Sequence, residues 1–274
     1  MDHDAPLVVS YGMGVDSTAM LVGLAQRRIR PDLILFADVG DENPETYAYQ
    51  PAIRRWLAKQ GFPPVRTVRY VPKRFKCGPY STLYGNCWQN RTLPSLAFGR
   101  KSCSNKWKIA PIDKEVRRAY TEHFAAGGHV VRAIGYDAGP KDSCRGGNIT
   151  DSEKFRYWYP LRDWGWGRER CKDEIATAGL PIPCKSACFF CPSTQKHELE
   201  RLAEVHPSLA SLAVAMEDRA KPGLRTVEGL WRRAVKGTRD PLAKRPGDWR
   251  TYLEQTGHID ALPAVDEAAI SKWL

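Results

Sequence analysis

The stretch Leu7-Val-Val-Ser-Tyr-Gly-Met-Gly-Val-Asp-Ser-Thr-Ala-Met-Leu21 is read as a strand, a glycine turn and a helix. Leu7 to Val9 is a short apolar run rich in β-branched residues. Thr18 to Arg27 is helix-forming, with apolar Ala19, Met20, Leu21 and Leu24. Gly12 and Gly14 remove side chains where a ligand could press against the backbone. Asp16, Ser17 and Thr18 follow at the expected helix start, where amides without intrahelical partners and the positive dipole end favour an anion. The arrangement suits a phosphate, and a phosphate at such a turn points to a nucleotide. The plainer alternative is a strand–turn–helix corner capped by Asp16 or Ser17.

Two known phosphate loops do not match. A Walker loop needs Gly-Lys-Ser/Thr, and no lysine follows Gly14. The dinucleotide fingerprint Gly-x-Gly-x-x-Gly needs glycine at position 17, which is Ser.

Downstream, apolar runs alternate with helical stretches. Leu33-Ile-Leu-Phe-Ala37 predicts a buried strand, and residues 45–59 a helix. Val65 to Val71 alternates like a strand. A helix over 113–126 stops at Gly127-Gly128 before a strand at Val130 to Ile134. This spacing predicts an α/β fold with a doubly wound parallel sheet, whose ligands sit at the carboxyl ends of the strands. From Asp151 the pattern changes to crowded aromatics, a cysteine group and a helical tail over 195–220. The expected division is therefore a nucleotide-binding α/β domain over 1–150 and a cysteine-rich, mainly helical region over 151–274. The aromatics from Trp158 to Trp166 are expected to pack in a core or to dock a domain rather than to stack a base.

At 274 residues the chain holds one large domain or two small ones. No apolar run approaches the roughly 20 residues of a membrane span. The opening residues are acidic and lack an apolar signal core, so a cytoplasmic protein is expected. The formal charge of +11 favours polyanionic partners, nucleic acid or ATP itself, although the basic pairs are dispersed along the chain. Eight cysteines in a reducing compartment argue for metal or redox chemistry rather than disulfides.

Two constellations carry chemistry. Asp38, Asp41, Glu42 and Glu45 follow the second predicted strand, where carboxylates can hold Mg²⁺ or bind the ribose and amine edges of a nucleotide. Glu45 also suits the first turn of a helix capped by Asn43. Further on, Cys184, Cys188 and Cys191 form a tight Cys-x3-Cys-x2-Cys group able to grip one metal. The fourth ligand of such a site is left open by spacing alone, with His197 one candidate. Zinc and iron–sulfur suit such donors almost equally.

Ser10-Tyr-Gly-Met-Gly-Val-Asp-Ser17 resembles the PP-loop of the N-type ATP pyrophosphatases, usually Ser-Gly-Gly-x-Asp-Ser. Gly12 stands at the family's first serine and Met13 at its first glycine, with Ser10 placed to supply the missing hydroxyl. Asp38, Gly40, Pro44, Glu45 and Thr46 are similar to a segment of the phosphoadenylyl-sulfate reductases. Arg100, Cys103, Lys108 and Pro111 resemble one shared by sulfonucleotide reductases and DNA phosphorothioation enzymes, with Arg100 one residue further from Cys103 than usual. Ala133-Ile-Gly-Tyr-Asp-Ala138, leading to Arg145, resembles a segment that closes over the nucleotide. Together these span residues 7–195, and the pattern is similar to PAPS reductase-like adenine nucleotide α-hydrolases.

The resemblance implies attack of an acceptor oxygen on the α-phosphorus of ATP, with AMP transferred and pyrophosphate released. Asp16, Lys108 and Arg145 would be catalytic, with Lys106 a further phosphate contact. Ser10, Gly12, Gly14, Asp16, Ser17, Thr18, Asp38, Glu45 and Gly135 would bind the nucleotide and its Mg²⁺. The resemblance also makes Cys103 the fourth ligand beside Cys184, Cys188 and Cys191, holding a 4Fe-4S cluster, with zinc the alternative. Expected partners are an adenine nucleotide, a nucleic-acid substrate (DNA or tRNA) and a sulfur-donor protein; a homo-oligomer is compatible. Two other readings stand beside this one. A sulfonucleotide reductase would have to use Cys171, Cys144 or Cys87 as its nucleophile, because no cysteine follows Cys191. The other is a non-catalytic nucleotide- or nucleic-acid-binding module with structural zinc.

Overall fold

The computed structural model describes residues 5–140, 150–231, 245–265 and 270–271. In chain order its elements are β1 (Leu7–Ser10), α1 (Val15–Gln26), β2 (Leu33–Ala37), α2 (Pro44–Lys59), β3 (Val65–Val68), α3 (Leu83–Gln89), α4 (Ala110–Ala119), α5 (Thr121–Ala125), β4 (Val130–Ile134), β5 (Phe155–Trp158), α6 (Pro160–Asp163), α7 (Arg168–Thr177), α8 (Lys196–Val205), α9 (Pro207–Ala220) and α10 (Trp249–Gln255). A π-helical turn, Asn105–Ile109, precedes α4. No described helix is long and apolar enough to cross a membrane.

The chain forms two compact units. The first is Met1–Asp38, Glu42–Arg69 and Ile109–Ala187; the second is Val39–Asp41, Tyr70–Lys108 and Cys188–Leu274.

The first unit is an α/β fold around a five-stranded sheet of order β3-β2-β1-β4-β5, with every pair parallel. Alternation sorts each strand between two cores. Leu7, Val9, Ile34, Phe36 and Ala133 face α1, α2 and α7, while Val8, Leu33, Leu35 and Val130 face α4 through Ile112 and Val116. Helices therefore cover both faces, and the sheet is doubly wound, as the strand–helix alternation predicts. From β1 the chain steps outward to β2 and β3, then returns to place β4 on the other side of β1. That reversal opens a crevice at the carboxyl ends of β1 and β4.

A single domain boundary at residue 150 does not describe this arrangement. β5 joins the sheet beside β4, Val130 pairing with Phe155, and α7 packs on α1 with Gln26 Nε2 donating to Glu174 Oε2 at 2.6 Å. Residues 70–108, in turn, belong to the second unit. The strand expected to reach Val71 ends at Val68, and Arg69 turns to pair with Asp38.

Of the aromatics from 158 to 166, Trp166 is buried in the core and Trp158 and Trp164 are half-buried against it. Trp164 and Trp166 meet edge to face at 5.2 Å, and the Arg27 guanidinium lies 4.1 Å from the Trp164 ring centre. The ring presses on Gly23 in α1: a Cβ there would come within 2.2 Å of it. Gly23→Ala should gain the usual ~1 kcal/mol of helix propensity yet lose more to overpacking, a net destabilisation of about 1–3 kcal/mol. Urea unfolding reads the sign.

The second unit is helical around Tyr84, Trp107, Phe189, Phe190, Trp231 and Trp249. The helical tail expected over 195–220 is two helices. The first starts with a capping box between Gln195 and Glu198, and Pro207 opens the second.

Candidate functional site

The turn after β1 is built from backbone. Gly12 is exposed and Gly14 half-buried. A Cβ at Gly12 would meet only Ser17 Oγ at 3.8 Å, and one at Gly14 only Ser186 Cβ at 3.9 Å, so space stands above both. Met13 between them has φ 58°, a left-handed conformation that costs a non-glycine residue about 1–2 kcal/mol. Its side chain is buried in the α1 core, and burying a methionine contributes about 1.5–3 kcal/mol. The turn thus keeps the geometry that glycine usually supplies and offsets its strain with packing.

Gly14 is the N-cap of α1 and offers no side-chain acceptor to the first-turn amides. Ser17 folds the turn on itself, its Oγ accepting from Gly12 N at 3.3 Å and donating to Gly14 O at 3.2 Å. From the neighbouring strand end, Gly135 closes in. A Cβ there would lie 2.8 Å from Ser17 Cα and 2.9 Å from Ser17 N, so only glycine lets the loop after β4 touch this turn. Segment Ser186–Ala187 forms another wall: Ser186 Oγ donates to Glu42 Oε2 at 3.2 Å, and Asn43 N donates to Ala187 O at 2.9 Å.

Charge at the rim comes from Asp16 and Arg168, paired at 2.7 Å. Arg168 opens α7 and is 152 residues away in sequence, a partner that local sequence reading did not find. It is an exposed cation beside an anion-suited turn.

Other expected site residues have partners or places of their own. Ser10 shares the face of Val8, and its hydroxyl accepts from Arg132 Nη2 at 3.2 Å. Thr18 is fully buried, with its Oγ1 3.1 Å from the Tyr11 hydroxyl; burial raises the Tyr11 pKa and keeps that hydroxyl protonated. Asp38 lies at the end of β2, bound by Arg69 and by the Tyr47 hydroxyl at 2.8 Å. Glu45 opens α2. Lys106 and Lys108 belong to the second unit, where Lys106 sits 4.9 Å from the Tyr70 ring centre. Arg145 and Cys144 lie outside the described residues.

Three of the four proposed metal thiols are in the second unit: Cys188 is buried in its core, and Cys103 and Cys191 border it. Cys184 is exposed and belongs to the first unit, since the chain changes unit between Ala187 and Cys188. Among the described residues no three His, Cys, Asp or Glu side chains are gathered to hold a metal ion. Within the second unit, Cys103, Cys188 and Cys191 are thus not gathered as a metal site.

The remaining cysteines bear on the reductase reading. Burial, with Asp16 and Asp137 adding to it, pushes the Cys171 thiol up to about 12. Cys87, fully buried near Asp41 and Cys103, is pushed well above its ordinary value. Neither is a thiolate at neutral pH, and a thiolate is what a reductase nucleophile requires.

Fold and site together define a doubly wound α/β unit with a backbone-lined, anion-suited turn at its topological switch point. No family model matches the chain, and none of the curated proteins matches it. Among solved structures it is similar to the U34-tRNA thiolase NcsA from Methanococcus maripaludis, solved with its 4Fe-4S cluster. The TM-score is 0.40 and the identity 12%, over 96% of this chain and 84% of that chain.

Proposed function

We propose that the first unit grips the phosphates of ATP and that the protein transfers AMP to an acceptor, releasing pyrophosphate. The observation that carries this reading is the open turn at Gly12 and Gly14, closed from one side by the backbone of Gly135. An acceptor oxygen attacks the α-phosphorus, the α–β bridging bond breaks, and pyrophosphate leaves with the bonding electrons. Amides at the start of α1 face the negative charge of the departing group, and Arg168 adds a cation. Asp16 acts by holding Arg168. Preorganised positive charge is the device, and no protein nucleophile takes part. Mg²⁺, when bound with ATP, would share the neutralisation of pyrophosphate. No step is assigned to an iron–sulfur cluster or to zinc, because Cys103, Cys188 and Cys191 are not gathered for either.

The acceptor we propose is a nucleic acid, as in sulfur-transfer enzymes of the PP-loop type, which the sequence motifs resemble. Its motivation is the basic balance of the chain. The test is product analysis with ATP labelled separately on the α- and γ-phosphates. AMP-labelled acceptor and labelled pyrophosphate are expected, whereas ADP and inorganic phosphate would overturn the reading.

A further inference from the structure

The positive charge of the chain is concentrated where acids are absent. Residues 46–112 contain 13 Lys or Arg and no Asp or Glu, while the rest of the chain carries 29 basic and 31 acidic residues. The whole excess of +11 therefore resides in one acid-free stretch. Inside the second unit this stretch is 70–108, where Lys73, Arg74, Lys76, Arg91, Arg100, Lys101 and Lys106 are all exposed.

The loop over 71–79 projects from two aromatic anchors. Tyr70 lies edge-on to Trp107 at 4.8 Å, and Tyr80 lies 6.3 Å from the same ring. Gln89 Nε2 donates to Pro79 O at 3.3 Å and fixes the far end. Between the anchors, Val71 is 70% exposed, and Phe75, its ring edge-on to Tyr80 at 5.0 Å, still leaves 46% of its surface exposed; Lys73, Arg74 and Lys76 lie among them. Exposed cations and a partly exposed aromatic ring on one loop are the pairing of groups that a single strand engages. In the same unit, a cleft of about 480 Å³ is walled by Leu93 and Phe98 and carries the hydroxyls of Thr92, Ser95, Ser102 and Thr226 beside Arg100, donors that suit a phosphate.

From this we infer that the exposed loop 71–79 and the basic surface of 100–106 bind single-stranded nucleic acid, the cations tracking the phosphates and Phe75 stacking an unpaired base. Neither contact reads the sugar, so RNA and DNA strands of one sequence bind alike. The surface deepens the proposal of a nucleic-acid acceptor and rests on it for its purpose. Its test omits ATP, so failure of either proposal leaves the other standing.

The experiment is fluorescence anisotropy of a labelled 20-nucleotide single strand against the full-length chain over a range of salt. K73E/R74E/K76E should weaken binding by about 100-fold and reduce the log–log salt slope by roughly 2, at about 0.7 for each phosphate the variant no longer neutralises. Phe75→Ala should weaken it about tenfold with an unchanged slope. Thermal melting checks that both variants, altered only at exposed positions, stay folded. Binding within threefold of wild type for the triple variant would overturn the proposal. So would equal affinity for a blunt duplex, or a preference above about 30-fold for one sugar.

Discussion

Glu217→Ala is expected to unfold the second unit at ordinary temperature, lowering its stability by roughly 3–6 kcal/mol in urea titration. Glu217 on α9 is fully buried, and its carboxyl group accepts backbone N–H bonds from Leu230 at 2.6 Å, from Trp249 at 2.9 and 3.0 Å, and from Arg250 at 3.2 Å. Two later segments are thereby fastened to one helix, and the first amides of α10 are capped from outside, with Asp248 taking that of Thr251. Gly229 makes the approach feasible, since a Cβ there would lie 2.3 Å from Glu217 Oε1. Alanine would leave the buried amides of Leu230 and Trp249 and the half-buried amide of Arg250 without this acceptor, the buried ones costing about 1–3 kcal/mol each.

Glu217 also sets a pH dependence. Desolvation, with Asp248 adding to it, pushes the carboxyl up to about 7 against the donors that lower it. The unfolded chain titrates near 4.5. Stability from this residue is therefore fully present below pH 4.5 and falls as pH rises to 7, by on the order of 3 kcal/mol. Glu217→Gln should flatten that fall, which urea midpoints at pH 5 and pH 8 would display. An unchanged slope would remove Glu217 from the explanation.

The second large effect separates shape from occupancy at the cradle. Gly135→Ala should weaken ATP binding more than tenfold and also lower stability by about 1–3 kcal/mol, because its Cβ meets backbone of the first α1 turn. Gly12→Ala should leave the fold intact, its Cβ at ordinary contact distance from Ser17 Oγ, yet weaken ATP binding by filling the space a phosphate would take. Calorimetric titration beside thermal melting distinguishes the two. If Gly12→Ala binds ATP as well as the parent, the phosphates lie elsewhere.

Much of the sheet was legible because its strands are short apolar runs at βα spacing. β1, β2 and β4 stand where Leu7, Leu33 and Val130 begin such runs. β5 was hidden because Phe155-Arg-Tyr-Trp158 reads as part of an aromatic crowd; its pairing with β4 follows from tertiary position. Gly12 and Gly14 were legible as side-chain-free positions of the turn, whereas Gly135 was legible only through a resemblance and its contact with Ser17 was not. The bearer of the left-handed turn was not, since Met13 replaces propensity with packing. Arg168 gave no local signal, because its partner Asp16 is distant in sequence. The second unit is assembled from three separate segments, which no single boundary in the sequence could reveal. The acid-free stretch was present in the sequence throughout, obscured by basic residues that look dispersed when counted alone.

Hydrogen–deuterium exchange at the amides of residues 12–18 and 135, with and without ATP and Mg²⁺, tests the cradle most directly. Slower exchange at both segments, abolished by Gly12→Ala, is the expected result. Exchange there that ATP leaves unchanged, with protection elsewhere or nowhere, would contradict a phosphate site at the start of α1.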